Sequence, residues 1–356
     1  MRGDRDERRN EEALVKLGMH IGYWGAMPPT WAPEAIAEAE RLGFDSIWTA
    51  ESWGSDALTP LAWWGSASTK LRLGTNLIQL SARTPTSTAM AALTIDHLSN
   101  GRFVLGLGVS GPQVVEGWYG QPFPKPLART REYVSVIRQV LAREDRVTNE
   151  GPHYPLPYPG GLGLGKPLKP ITHPLRADVP IILGAEGPKN VALAAEIADG
   201  WFPLFFSARH EHLYSGSLQE GFARVGARRS AADFEVLPTV TVVIDDDVEA
   251  AADALRPVLA LYVGGMGARD MNFHFDVFCR LGYEGEAHKI QQLYLEGRKD
   301  EAAAAVPTRM VEEMNLIGPK AKIRDELAIW KASMVTTMLI GGGNIDTMRT
   351  MAELVL

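Results

Sequence analysis

Residues 106–111, Gly-Leu-Gly-Val-Ser-Gly, form a G-x-G-x-x-G run inside the apolar segment "FVLGLGVSG". In a dinucleotide-binding fold such a run brings a pyrophosphate against backbone amides. Two requirements of that chemistry fail. A helix should begin within the motif, yet Pro112 and Gln113 follow, and "VVEGWYGQPFP" is broken at Gly117, Gly120, Pro122 and Pro124. The ribose-binding acid due about 20 residues on falls at Arg131-Glu132, inside a helical segment. The glycines then serve close strand packing, at Gly106 and Gly108, or let a flat ligand lie against the backbone over Ser110, Gly111, Gln113 and Val114. A second turn, Gly184-Ala185-Glu186-Gly187, precedes Pro188. Proline suits the first position of a helix, and that helix's free N–H groups and positive dipole end attract an anion. Metal chemistry has little to draw on, since the eight histidines show no H-E-x-x-H spacing. Cys279 is the sole cysteine, which excludes an intrachain disulfide and a cysteine cluster and fits a reducing cytoplasm.

Groups of this kind need a scaffold, and 356 residues with 46% hydrophobic content supply one. The net charge of −7, with no strongly basic stretch, excludes a nucleic-acid grip. Residues 1–16 are charged throughout and read as a flexible arm, not a secretory signal. No run approaches the roughly 18 apolar residues of a membrane span. Short apolar runs alternate with segments of helical period, the pattern of a parallel sheet with crossover helices. Expected strands are 17–25, 44–52, 71–80, 103–111, 179–187, 200–206, 234–246 and 334–343. Helices are expected at 33–43, 58–68, 86–98, 128–144, 188–199 and 344–355. Residues 150–180 hold eight of the 23 prolines and form an irregular excursion, a candidate lid. Residues 247–330 are almost wholly helical in period, far more than one crossover needs, and form a helical insertion between strands 7 and 8. The expected fold is a (β/α)8 TIM barrel of the α/β class over 17–356, with a doubly wound sheet as the rival.

Three segments carry a resemblance: "WTAESWGSDALTPLAWW" (48–64), "LGTNLIQLSARTPTSTAMAALTIDHLSNGRFVLGLGVSGPQVVEGWYG" (73–120) and "LGAEGPKNVALAAEIADGW" (183–201). Together they resemble the bacterial luciferase-like superfamily, and within it the deazaflavin-dependent oxidoreductases that use coenzyme F420. The resemblance continues through "GGMG" (264–267) to "GGGNIDTM" (341–348). It implies a barrel whose C-terminal mouth holds a flavin or deazaflavin ring, propped by a bulge after the third strand that often contains a non-prolyl cis peptide. The matching positions are Asn76, Leu77, Ile78 and Gln79. The cofactor phosphate would meet Gly184, Ala185, Glu186 and Gly187. Relatives place a threonine and a lysine near the end of strand six, where this chain has Leu204, Phe205 and Phe206.

Relatives also carry an acid followed by histidine at the end of strand two. Here Glu51 matches the acid and Ser52 replaces the histidine. Glu51 could move a proton if Trp48 and Trp53 desolvate it, or could merely cap or salt-bridge a loop. Trp53 would wall the substrate space. Glu116 is a second candidate acid or a solvated helix residue. Tyr23 and Trp24 could line the pocket, with His20 inside the barrel. Arg83 could hold an anionic tail or form a surface ion pair. The resemblance implies hydride exchange between F420 and a small organic substrate. An FMN-dependent monooxygenase and a non-catalytic flavin-binding barrel stand as alternatives, and a homodimer is expected.

Overall fold

The apolar runs form parallel strands because both of their faces are buried, one against the helices and the other in the interior of the sheet. The computed structural model describes residues 15–269 and 271–356. Residues 1–14 of the expected arm lie outside the described part, whereas Val15 is buried and Lys16 already begins the first strand. The barrel half runs β1 (Lys16–Gly22), α1 (Ala32–Leu42), β2 (Ser46–Thr49), α2 (Leu58–Gly65), β3 (Arg72–Thr75), β4 (Ile78–Gln79), α3 (Pro85–Leu98) and β5 (Phe103–Gly108). It continues through α4 (Pro112–Gly117), α5 (Pro126–Ala142), β6 (Ile181–Gly184), α6 (Pro188–Ile197), β7 (Gly200–Phe202) and α7 (His212–Phe222). Helix boundaries follow local chemistry. Gly43 closes α1 in the left-handed region at φ 87°, and the Thr84 side chain caps α3 at the Ser87 N–H.

The expected seventh strand, 234–246, is three pieces: β8 (Glu235–Val236), β9 (Thr239–Val240) and β10 (Val242–Ile244). Pro238 has no N–H for the ladder and marks the break. Sheet order is β8-β7-β6-β5-β3-β2-β1, then β12 (Thr337–Gly341) and β9, with β4 beside β5 and all pairs parallel. The ends of that order are one stretch of chain. Leu237 donates to Trp201 C=O at 3.0 Å on one side, and Leu339 donates to Pro238 C=O at 2.9 Å on the other, so the ring closes.

Trp48, Val104, Ile182, Phe202, Leu237 and Leu339 fill the barrel interior. A Cβ on Gly74 would meet the Trp48 ring at 2.1 Å, and one on Gly106 would meet the Thr75 carbonyl oxygen at 1.8 Å. Gly106 is therefore small for barrel packing, which settles the first glycine of the run as structural. Burying a side chain as large as Trp48 contributes upwards of about 2 kcal/mol, and only glycine on its neighbours leaves it room. Below this layer Arg72 crosses the barrel floor, pairing with Asp45 at 2.7 Å and with Glu235 at 2.8 Å.

The insertion comprises α8 (Val248–Asp253), α9 (Arg256–Gly264), α10 (Phe273–Arg280), α11 (Glu284–Leu295), α12 (Lys299–Ala304) and α13 (Thr308–Glu312). These helices pack around a second core that includes Val263, Phe278, Ile290 and Met310. A strand hidden in the helical pattern, β11 (Leu316–Gly318), pairs with β10. The following α14 (Lys320–Lys331) belongs to the barrel's own helix layer through Ile323, Leu327 and Trp330, so the helical addition ends near residue 313 and not at 330. Helix α15 (Ile345–Val355), capped by Asn344, completes the chain. The 150–180 excursion is tied alongside the barrel by Arg176 to Asp96 at 2.8 Å and by the Leu168 carbonyl to Val147 N–H at 2.9 Å. No described helix is long and apolar enough to cross a membrane.

Candidate functional site

A cavity of about 990 Å³ opens at the C-terminal ends of the strands. Its floor is the break between β3 and β4, where the Asn76–Leu77 peptide is cis and neither residue is proline. The surrounding chain holds this bulge from every side. Asn76 N–H donates to Thr49 C=O at 2.7 Å, Asn76 Nδ2 donates to Thr239 Oγ1 at 3.2 Å, and Glu51 N–H donates to Leu77 C=O at 3.3 Å. The Leu77 side chain lies where Cβ atoms on Gly108 and Gly184 would come within 2.6 and 2.4 Å. The second glycine of the run and the first of the β6–α6 turn thus make room for the bulge.

Beside the bulge, His20 hydrogen-bonds the Asn76 backbone, while burial pushes its imidazole down to about 4. His20 is therefore a neutral donor near pH 7, inside the barrel mouth as expected and lining the cavity.

Glu51 is buried, and both of its carboxylate oxygens are occupied. Oε1 accepts from Gln79 N–H at 2.8 Å, Oε2 accepts from Ala57 N–H at 3.3 Å, and Arg83 Nη1 donates to both at 2.9 Å. The Glu51 backbone carbonyl accepts from Gln79 Nε2 at 3.3 Å. The desolvating tryptophans expected around it are elsewhere: Trp48 is in the barrel interior, edge-on to Phe202 at 5.3 Å, and Trp53 is 49% exposed at the cavity rim. Arg83, which also lies 3.7 Å from Asp56, is an ion-pair partner and not a free anion holder. This geometry suits Glu51 to clamping the bulge rather than carrying protons.

Other expected positions divide clearly. Ser110, Gly111, Gln113 and Val114 line the cavity, with Ser110 in the left-handed region at φ 60°. Gly184, Ala185, Glu186 and Gly187 line it opposite, and the turn is pinned by Trp201 Nε1 donating to Ala185 C=O at 2.7 Å. Two expected residues are excluded. Ile78 is fully buried and packs outward in the main core, because the bulge shifts the alternation of faces. Glu116 is solvent-exposed on α4, whose only buried residue is Val115, and does not line the cavity. Trp24 also lies outside it, edge-on to Trp64 at 5.4 Å in a separate groove, whereas Tyr23 is at the cavity wall.

The insertion contributes what sequence reading missed. The Asn272 side chain caps α10 at the His274 and Phe275 N–H groups and donates to the Tyr262 and Val263 carbonyls, both at 2.9 Å. That double tie aims His274 at Glu186, Nδ1 to Oε1 at 2.9 Å, with Phe205 and Tyr262 edge-on to the imidazole. Arg280 donates to Glu186 C=O at 3.0 Å. An asparagine N-cap followed by the apolar "FHFDVF" was a readable helix start, but its docking over the barrel was not.

Comparison with known proteins agrees with this architecture. A family model described as luciferase-like monooxygenase matches residues 14–337. A Mycobacterium tuberculosis protein, provisionally named a coenzyme F420-dependent oxidoreductase, is 60% identical over 346 residues, 97% of this chain and 100% of its own length. The 5,10-methylenetetrahydromethanopterin reductase of Archaeoglobus fulgidus is 32% identical over 310 residues, 85% of this chain and 86% of the relative. Among solved structures, the coenzyme F420-dependent tetrahydromethanopterin reductase of Methanopyrus kandleri superposes with a TM-score of 0.77 at 23% identity, covering 96% of this chain and 98% of that one. With a closed parallel barrel, a bulged third strand at its mouth and a family match spanning nearly all of its length, this chain belongs to the luciferase-like monooxygenase family.

Proposed function

We propose that the protein is an oxidoreductase that exchanges a hydride between coenzyme F420 and a small organic substrate at the barrel mouth. The observation that carries this reading is Gln79 Oε1, a buried acceptor in the cavity floor without a partner among the described residues. A buried amide oxygen left unpaired costs about 1–3 kcal/mol, and a planar ring bearing N–H donors would satisfy it. The 60% identity to a protein named for F420 supports that cofactor.

The residues present fit such a group. The bulge offers backbone edges beneath a ring, and Cβ atoms on Gly111 and Gly187 would meet nothing closer than the flexible Gln113 Oε1 at 3.1 Å. The turn at Gly187 opens α6, where Pro188 has no N–H and the Asn190 N–H is taken by Gly187 C=O at 2.9 Å, so the Gly187 and Lys189 N–H groups and the Lys189 side chain would meet an anionic tail. When bound, the deazaflavin supplies two-electron hydride chemistry. The substrate gains the hydride and one proton in reduction and loses both in oxidation. The chain's part is positional: His20 and Glu51 keep the bulge in place, and the insertion screens the mouth from water.

The test is titration of the full chain with oxidised F420 and, separately, with FMN, following cofactor fluorescence. Saturable binding of F420 at least roughly tenfold tighter than FMN, a difference of about 1.4 kcal/mol, is expected. Tighter FMN binding would move the protein to the oxygen-using branch, and binding of neither would end the proposal.

A further inference from the structure

The cavity has two unlike walls. The barrel side presents the bulge and the two glycine-bearing turns, with their backbone edges and polar side chains. The opposite side comes from the insertion and is mainly apolar, built from Val258 and Leu259 of α9, Met266 and Met271 from the α9–α10 connection, Phe273 of α10 and Met314 after α13, with Tyr262, His274 and Asn315 as its polar members. Charged side chains are sparse among the described lining residues. Glu51 is held by Arg83, Glu186 is held by His274, and Lys189 sits on the first turn of α6, on the barrel side. Among the described residues no arginine lines the cavity, and no lysine stands on the insertion wall.

We propose that this wall selects an uncharged, predominantly apolar substrate, and excludes phosphorylated or carboxylated ones. The proposal rests on the reading of the mouth as a hydride-transfer site and deepens it by naming the substrate class. An ionised group placed against this wall would lose its hydration without gaining a partner, a loss of several kcal/mol. An alkyl or ring portion gains with every methylene it buries. Three thioethers in one wall adapt to irregular shapes better than branched aliphatics do, so bulky substrates are favoured over one rigid outline. Tyr262 supplies a hydroxyl on this side. Burial, reinforced by its hydrogen bond to the neighbouring Tyr23, pushes it above its ordinary range, so it stays protonated and adds no charge to this side.

The experiment uses the full chain with saturating oxidised F420, which fills the anion-attracting turn, and calorimetry of a neutral series from 2-butanone to 2-decanone beside decanoate and glucose 6-phosphate. Affinity is expected to rise along the neutral series by up to about fourfold per methylene, with no detectable binding of the two anions. Val258→Lys, at a half-exposed rim position that tolerates a charge, should flatten the series and admit decanoate, while its melting temperature matches that of the parent protein. A parent protein that binds decanoate or glucose 6-phosphate as tightly as 2-decanone overturns the proposal, as does a neutral series without slope. F420 titration of the same samples separates the two readings. A sloped neutral series without F420 binding sinks the cofactor assignment alone, and F420 binding with a flat series sinks the apolar selection alone.

Discussion

Replacing Glu51 by glutamine tests whether the residue clamps the bulge or carries a proton. The substitution keeps the shape of a side chain that is 2% exposed and removes its charge, leaving Arg83, itself 21% exposed, short of its nearest partner. One amide oxygen can still accept from Gln79 N–H, but the new NH2 then faces the Ala57 and Arg83 donors. Breaking a fully buried pair costs about 3–5 kcal/mol. Arg83 is partly solvated and keeps Asp56 within 3.7 Å, which lowers the expectation to about 2 kcal/mol. For 356 residues that amounts to a melting temperature lower by about 3 °C. If the same energy is withdrawn from the bulge that supports the ring, cofactor affinity falls by up to about thirtyfold. Calorimetric melting and a fluorescence titration read the two effects. Arg83→Met should behave similarly, and the double variant should lose much less than the two single losses added together. Glu51→Gln protein with unchanged melting and cofactor affinity but no turnover would refute the clamp and make Glu51 the proton carrier.

Gly106→Ala drives a methyl group into the Thr75 carbonyl at 1.8 Å, so the variant should be destabilised by upwards of about 3 kcal/mol or fail to fold. Gly111→Ala meets only a side-chain tip at 3.1 Å and should melt near the parent; equal melting of both variants contradicts the packing account. Because burial lowers His20 to about 4 from an unfolded value near 6.5, the unfolded chain binds the extra proton first as pH falls. Its contribution is intact above about 6.5 and is lost downward toward 4, about 2 kcal/mol between pH 7 and 5. Urea unfolding should show His20→Asn to be less sensitive to pH over that window than the parent, and an equal slope would disprove it. Arg72→Met leaves Asp45 and Glu235 facing each other's charge across the barrel floor. It should cost about 2–4 kcal/mol, seen as a lower denaturant midpoint, and no shift would show the floor pairs to be inert.

Much of the barrel was legible because its signals are local. Gly43 and Pro188 mark helix ends through their own backbone chemistry, and strand runs are apolar because both faces of a parallel barrel are buried. The bulge at Asn76–Leu77 came from resemblance, and nothing in the alternation of "LRLGTNLIQL" announces it. Ile78 does not line the cavity, because one irregular residue exchanges the faces of all that follow. Glu116 does not line it either, and α4 is too short for its sequence to show which side is buried. The contacts that define the mouth are long-range: His274 meets Glu186 across 88 positions and Arg83 meets Glu51 across 32. Local periodicity carries no information on either. Pro238 breaks the ladder, and the apolar flanks on both sides of it hide the break in the sequence.

The β10–β11 pair joins the departing and returning ends of the chain that leaves the ring after β9 and rejoins it at α14. Both attachments of the roof therefore stand side by side on a single short ribbon. Ring and roof are in this respect a chassis and a cassette: residues 245–315 could be grafted from another barrel of this kind at one paired seam, leaving the cis peptide and its clamp untouched, provided the graft keeps counterparts of His274 and Arg280 for Glu186. On the function proposed above, reaction type and choice of reactant are then written in separate lengths of chain.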